Sequence, residues 1–219
     1  MTDESDKIIT AQPSEVRRDL TITRENSRQQ TVQTISQSYP TTVDDLWDAC
    51  TQADRLARWF APVSGDLRLG GHYQVEGNAS GEVMACEPPR SFTVTWEFGG
   101  DTSHVSVHLA PEGDRSRLTI EHTHTGDADS DFWTQFGPGA TGVGWDLALL
   151  GLSLYLVAGQ VRPEDPDAFT QSGSAQQFIR AVSEHWGEAS VRAGTPKSDA
   201  IAAVHRTTAF YTGEDAEGR

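Results

Sequence analysis

Apolar positions along the chain change their spacing several times, and each change marks an element. In Thr31–Tyr39, Ile35 and Tyr39 share one face among polar neighbours, which predicts a strand ended by Pro40. Thr42 is placed to cap a helix whose first turn carries Asp44 and Asp45, the charges a helix N-terminus favours. Val43, Leu46, Trp47 and Cys50 then recur at the spacing of one buried helical stripe. A second short helix, Ala53–Phe60, presents Leu56, Trp59 and Phe60 before Pro62 closes it.

The period then shortens to two. Leu67–Val75, Gly81–Cys86, Ser91–Phe98, Ser103–Ala110 and Ser116–Thr125 read as strands. Turn chemistry separates them: Gly77-Asn78, Pro88-Pro89, Gly99-Gly100 and Gly113-Asp114. Phe92, Val94, Trp96 and Phe98 fall on one face, as do Val105, Val107 and Leu109, and Leu118, Ile120, His122 and His124. Gly70-Gly71 predicts a bulge or bend in the first of these strands. A sheet with one apolar face needs a cover. The helix expected near Gly142–Gln160 supplies it, apolar nearly all round and interrupted only by Asp146 and Ser153.

Beyond a break at Pro163–Pro166, Ser174–Arg192 places Phe178, Ile179, Val182, Trp186 and Ala189 at helical spacing. A last helix starts at Ser198 and Asp199 and stops at Gly213, leaving Glu214–Arg219 as a frayed end. Residues 1–30, polar and poor in aromatics, read as a mobile tail with at most one helical turn around Pro13–Leu20. The expected organisation is therefore a tail (1–30), an α+β domain (31–160) and a helical extension packed on it (161–219). A homodimer contact is the competing account of the last two helices.

Charge narrows the partners. Of the 219 residues, 32 are acidic and 17 are Lys or Arg, a net charge of -15. Such a surface repels nucleic acid and anionic membranes, so neither is expected as a partner. Cys50 and Cys86 lie in apolar stretches without CxxC spacing and read as free buried thiols. The N-terminus lacks the basic-then-apolar order of an export signal, which points to a cytoplasmic protein. The Val143–Val157 run reads as a core helix rather than a membrane span, because it is short and carries Asp146.

The order of strand, two short helices, antiparallel meander and long helix resembles the helix-grip fold of the START/Bet v 1-like (SRPBCC) superfamily. LWDACTQADRLARWFAP (Leu46–Pro62), DLRLGGHYQV (Asp66–Val75), GEVMACEPPRSFTVTW (Gly81–Trp96) and GVGWDLALLGL (Gly142–Leu152) resemble the branch named for the activator of Hsp90 ATPase. The trailing AFYTG (Ala209–Gly213) resembles an extension of longer bacterial members. The resemblance implies a curved antiparallel sheet wrapped around a long C-terminal helix, with relatives that bind lipids, hormones or polyketide-like molecules. The partner domain of the cochaperone has no counterpart in residues 1–30, so cochaperone activity is not carried over.

An apolar or aromatic small molecule is thus the expected ligand, held in a cavity between sheet and long helix. Trp59 and Phe60 from the second helix, with Tyr73, Phe92, Val94 and Trp96 from the strands, are expected to line it. Ile120, His122, His124 and Trp145 complete the lining. His122 and His124 continue the inward parity of Leu118 and Ile120, where imidazoles orient polar groups or move protons near neutral pH. A cyclase- or hydratase-like enzyme using His122, His124 or Tyr73 is one alternative, and a protein-interaction or cochaperone-like module another. His104 and His108 fall on the opposite, solvent-facing parity. Asp127, Asp129 and Asp131 begin like a calcium loop but lack its remainder, so no metal site is expected. No GxSxG, P-loop, GxGxxG or HExxH motif occurs, and no cofactor is expected.

Overall fold

A computed structural model describes residues 3–163 and 169–214. The expected break after Pro163 and frayed end after Glu214 lie largely outside these residues. The chain runs α1 (Asp3–Glu15), β1 (Arg17–Glu25), β2 (Arg28–Tyr39), α2 (Val43–Thr51), α3 (Ala53–Trp59), β3 (Val63–Gly65) and β4 (His72–Val75). It continues as β5 (Ser80–Glu87), β6 (Ser91–Phe98), β7 (Asp101–Glu112), β8 (Arg115–Asp127), α4 (Asp131–Phe136) and α5 (Gly139–Ala158). Two further helices follow, α6 (Gly173–Arg192) and α7 (Lys197–Thr212). The strands form one eight-stranded sheet in the order β1-β2-β8-β7-β6-β5-β4-β3. Neighbours from β3 to β8 pair antiparallel.

By internal packing the chain divides into two compact units, each discontinuous in sequence. The first comprises Met1–Ile35, Thr125–Leu150 and Pro163–Arg219. The second comprises Ser36–His124 and Gly151–Arg162. The division falls inside α5, so each half of that helix belongs to a different unit.

In the first unit, the stretch expected to be a mobile tail forms a helix and a strand. Ser5, Ile9, Gln12 and Pro13 are buried positions of α1, and Leu20 is buried on β1. Phe178, Ile179, Val182 and Trp186 of α6 build the core as their spacing predicts. Glycines bring the helices close. A Cβ at Gly142 would lie 2.3 Å from the Trp186 ring, and one at Gly187 would lie 2.4 Å from Val204. Asp146 is fully buried on the first half of α5. Its carboxylate accepts from Arg18 Nε at 3.0 Å and from Trp186 Nε1 at 2.8 Å, while Arg18 Nη2 lies 2.5 Å from the other oxygen.

In the second unit, Thr42 caps α2 as expected, its side chain accepting from the Asp45 N–H. Leu46 and Ala49 of α2 and Leu56 and Trp59 of α3 are buried. Gly151 opens the second half of α5, where a Cβ would lie 2.5 Å from the Trp59 carbonyl oxygen. Ser153, the other polar residue of α5, accepts from Gln37 Nε2 at 3.0 Å. The strand expected over Leu67–Val75 is shorter. Gly70 adopts φ +75° in a turn, and Gly71 sits so close to the Asp66 carbonyl that a Cβ would lie 2.2 Å from it. The glycine pair therefore makes a turn before β4 rather than a bulge inside it.

Candidate functional site

The candidate site lies on the apolar face of the second unit's sheet. Its register is set by a two-residue hairpin between β6 and β7: Phe98 pairs with Asp101, and Gly99 and Gly100 both take positive φ. That glycine pair relieves the steric cost of such a turn. Trp96 is thereby opposite Ser103, and Val94 opposite Val105. Between β7 and β8, Val105 faces His122, Val107 faces Ile120, and Leu109 faces Leu118. One pleated face therefore carries Val83, Val94 and Val105 in a row that ends in an imidazole.

Burial along this face is uneven. Val94, Val105, Val107 and Ile120 are 8%, 2%, 6% and 4% exposed, whereas Phe92 and Trp96 are only half-buried. Phe92 meets Trp47 edge-on at 6.0 Å. Trp59 donates its indole N–H to the Ala49 carbonyl at 2.9 Å, and its ring lies 5.5 Å from Phe60, itself half-buried.

The polar members of the face are tied in distinct ways. His122 is buried, its Nε2 lies 2.7 Å from Ser103 Oγ, and its ring stands 6.3 Å from Trp96. Burial, with a smaller contribution from His124, lowers its pKa to about 4, so the imidazole is neutral at physiological pH. Ser103 Oγ also donates to the Trp96 carbonyl at 3.2 Å. His124, one strand repeat further on, pairs through Nε2 with Asp101 at 2.7 Å and is partly exposed. Tyr73 is buried, and its hydroxyl donates to the Thr95 carbonyl at 2.6 Å. Burial, and then the charge of Glu97, pushes that phenol well above its ordinary range. Its proton is thus committed to the sheet rather than offered to a ligand.

Phe92, Val94, Trp96, Ile120 and His122 are brought onto one face, with Tyr73 on the same pleat two strands away through its pairing with Gly81. Trp59 and Phe60 sit together on α3 and just past it, and Trp145 is half-buried in the first unit. Ser103 is the residue that sequence reasoning passed over. It interrupts the inward sequence Ser103, Val105, Val107, Leu109 with a hydroxyl, and that break in parity was the available signal. Cys50 is buried and its thiol is pushed up to about 12, which makes it inert at neutral pH. Cys86 is also free but only partly buried, short of the burial expected for both thiols. Among the described residues, no group of three or more His, Cys, Asp or Glu could hold a metal ion.

An α+β architecture with an eight-stranded antiparallel curved sheet and long helices defines this protein as a helix-grip fold. Residues 40–156 match the family described as activator of Hsp90 ATPase homolog 1-like protein. The chain belongs to that family, within the START/Bet v 1-like (SRPBCC) superfamily. It is similar to CalU16 from Micromonospora echinospora, whose crystal structure is 32% identical, with 80% of this chain and 97% of that one covered at a TM-score of 0.63. The solution structure of CalU16 gives 31% identity, coverage of 82% and 97%, and a TM-score of 0.66. This likeness extends beyond the residues that match the family. DynU16, a protein of the dynemicin biosynthetic locus, shares the fold at 23% identity, with 58% of this chain and 48% of that one covered at a TM-score of 0.52. No curated protein is significantly similar to the chain.

Proposed function

We propose that this protein binds an apolar or aromatic small molecule against the inward face of the second unit's sheet. The carrying observation is the uneven cover of that face: its aliphatic residues are buried while Phe92 and Trp96 are only half-buried. Accessible aromatic rings among buried aliphatics are what a ligand site of this kind requires. Trp59, Phe60, Val94 and Ile120 would supply the surrounding apolar surface and His122 its polar point, with Tyr73 and His124 at the margin. Each buried Å² of ligand would contribute roughly 25 cal/mol before ordering costs, which makes micromolar affinity reachable for a fused-ring aromatic. Residence in the cytoplasm is part of this reading.

The test is a thermal-shift and titration screen of neutral aromatic compounds, with native mass spectrometry of freshly purified protein. Stabilisation by at least one compound, reduced at least tenfold in affinity by Trp96→Ala, is the expected outcome. A screen without any stabilising compound, and a protein that carries no retained molecule, would overturn the reading.

A further inference from the structure

We infer that Ser103 and His122 form the polar end of this ligand site and select molecules ending in an uncharged hydroxyl or carbonyl over those ending in a carboxylate. The inference rests on the binding reading above and deepens it.

Geometry comes first. Ser103 and His122, 7% and 8% exposed, sit on adjacent strands with Oγ and Nε2 2.7 Å apart. Trp96 is opposite Ser103 in the register and edge-on to the His122 ring. A fused aromatic lying on the accessible part of Trp96 would carry its substituent to this pair.

The proton inventory then sets the chemistry. A serine hydroxyl has one proton and two acceptor positions. If Ser103 donates to the Trp96 carbonyl, His122 donates Nε2–H to Oγ, and one Oγ acceptor position remains for a ligand O–H. If Ser103 donates to His122 instead, both acceptor positions remain. Should the ligand present a carbonyl, Ser103 can turn its proton to it while His122 donates to Oγ. The pair thus answers both a hydroxyl and a carbonyl without either member becoming charged.

A carboxylate finds no such match. Ser103 and His122 are both uncharged and offer it no counter-charge, and an unpaired buried carboxylate is strongly penalised.

Three probes on one skeleton separate the terms: naphthalene, 2-naphthol and 2-naphthoate, titrated at neutral pH. The expected order is naphthol about tenfold tighter than naphthalene, with naphthoate weakest, since one net hydrogen bond is worth roughly that factor. Ser103→Ala should bring naphthol down to the affinity of naphthalene for the same variant. Should that variant fold poorly, the wild-type protein provides the second readout. The His122 ring resonances in an NMR titration should move with naphthol and far less with naphthalene. Naphthalene binding without preference for naphthol, or a preference that survives Ser103→Ala, overturns this assignment alone. Failure of all three probes overturns the binding reading and this assignment with it.

Discussion

Asp146 and His122 are both polar side chains set among apolar residues, one in each unit, and their surroundings differ in kind. Asp146 is a carboxyl group with no solvent exposure, met by the Arg18 guanidinium and the Trp186 indole N–H. Arg18 has further acceptors in the Pro13 and Val16 carbonyls at 2.9 and 3.0 Å. Burial pushes the Asp146 carboxyl up, and its bonds to Arg18 and Trp186 oppose that shift. His122 is instead a neutral ring in contact with the Ser103 hydroxyl and beside a half-buried tryptophan. A buried carboxyl group met by its partners is costly to unpair, so it constrains how the elements around it pack. A neutral pair beside a half-buried aromatic ring can exchange hydrogen bonds without carrying charge, which is the property that the proposed ligand site uses.

The sharpest way to break that contrast is to remove one charge from the first unit. Asp146→Ala leaves Arg18 buried without its counter-ion, and the expected loss is about 3–5 kcal/mol in a denaturant titration. The double change Asp146→Leu with Arg18→Met should recover most of it, since replacing both ions by apolar side chains is often neutral. A single variant as stable as the wild type would show that the ion pair does not hold the unit.

The second unit answers to pH instead. Folding lowers the His122 pKa from 6.5 to about 4. Between those values the unfolded chain binds the proton and the folded one does not, so stability falls as pH drops through the window and is fully present above it. The loss amounts to about 3 kcal/mol once both forms are protonated. His122→Gln should flatten this part of the profile while leaving the acid response of the carboxylates. Identical profiles for the two proteins between pH 7 and 4 would contradict the burial of His122.

Gly142→Ala tests the enclosure around Asp146 from another side. The added methyl would press on a Trp186 ring that is 1% exposed and tied to Asp146, so the ring cannot yield without losing its hydrogen bond. Overpacking of this sort costs about 1–3 kcal/mol. Gly144→Ala is the milder comparison, since its added Cβ would lie 3.2 Å from the Tyr211 hydroxyl.

These contrasts also explain what was readable in the sequence. The strands of the meander, their inward parity and the buried helix follow from local period and turn chemistry, and β6 was placed at Ser91–Phe98 as observed. Residues 1–30 were not readable, because their burial is polar and depends on distant partners. Ser5 and Gln12 are buried on α1, Pro13 lies inside it, and Arg18 is hidden by a carboxylate 128 residues away. Gln33 on β2 likewise donates to the Pro138 carbonyl, 105 residues on. Hydropathy assigns such segments to solvent, since nothing local announces the partner. Within the candidate site, the aromatic and histidine parity was legible, whereas the Ser103–His122 contact required the strand register.

The smallest expected effect separates the two histidines that the sequence treats alike. His122 and His124 share a parity on β8, yet one is enclosed and the other stands at the hairpin with Asp101, 69% exposed, as its partner. An exposed contact of this kind is screened by water and salt and contributes about 0–1 kcal/mol. His124→Ala should therefore change the unfolding midpoint little, and 2-naphthol affinity by less than about twofold. His122→Gln should lower that affinity about tenfold, in line with the loss of one hydrogen bond. Equal effects of the two substitutions on naphthol binding would mean that the polar end of the site reaches the hairpin rim, and the enclosed pair would lose its special place in the comparison.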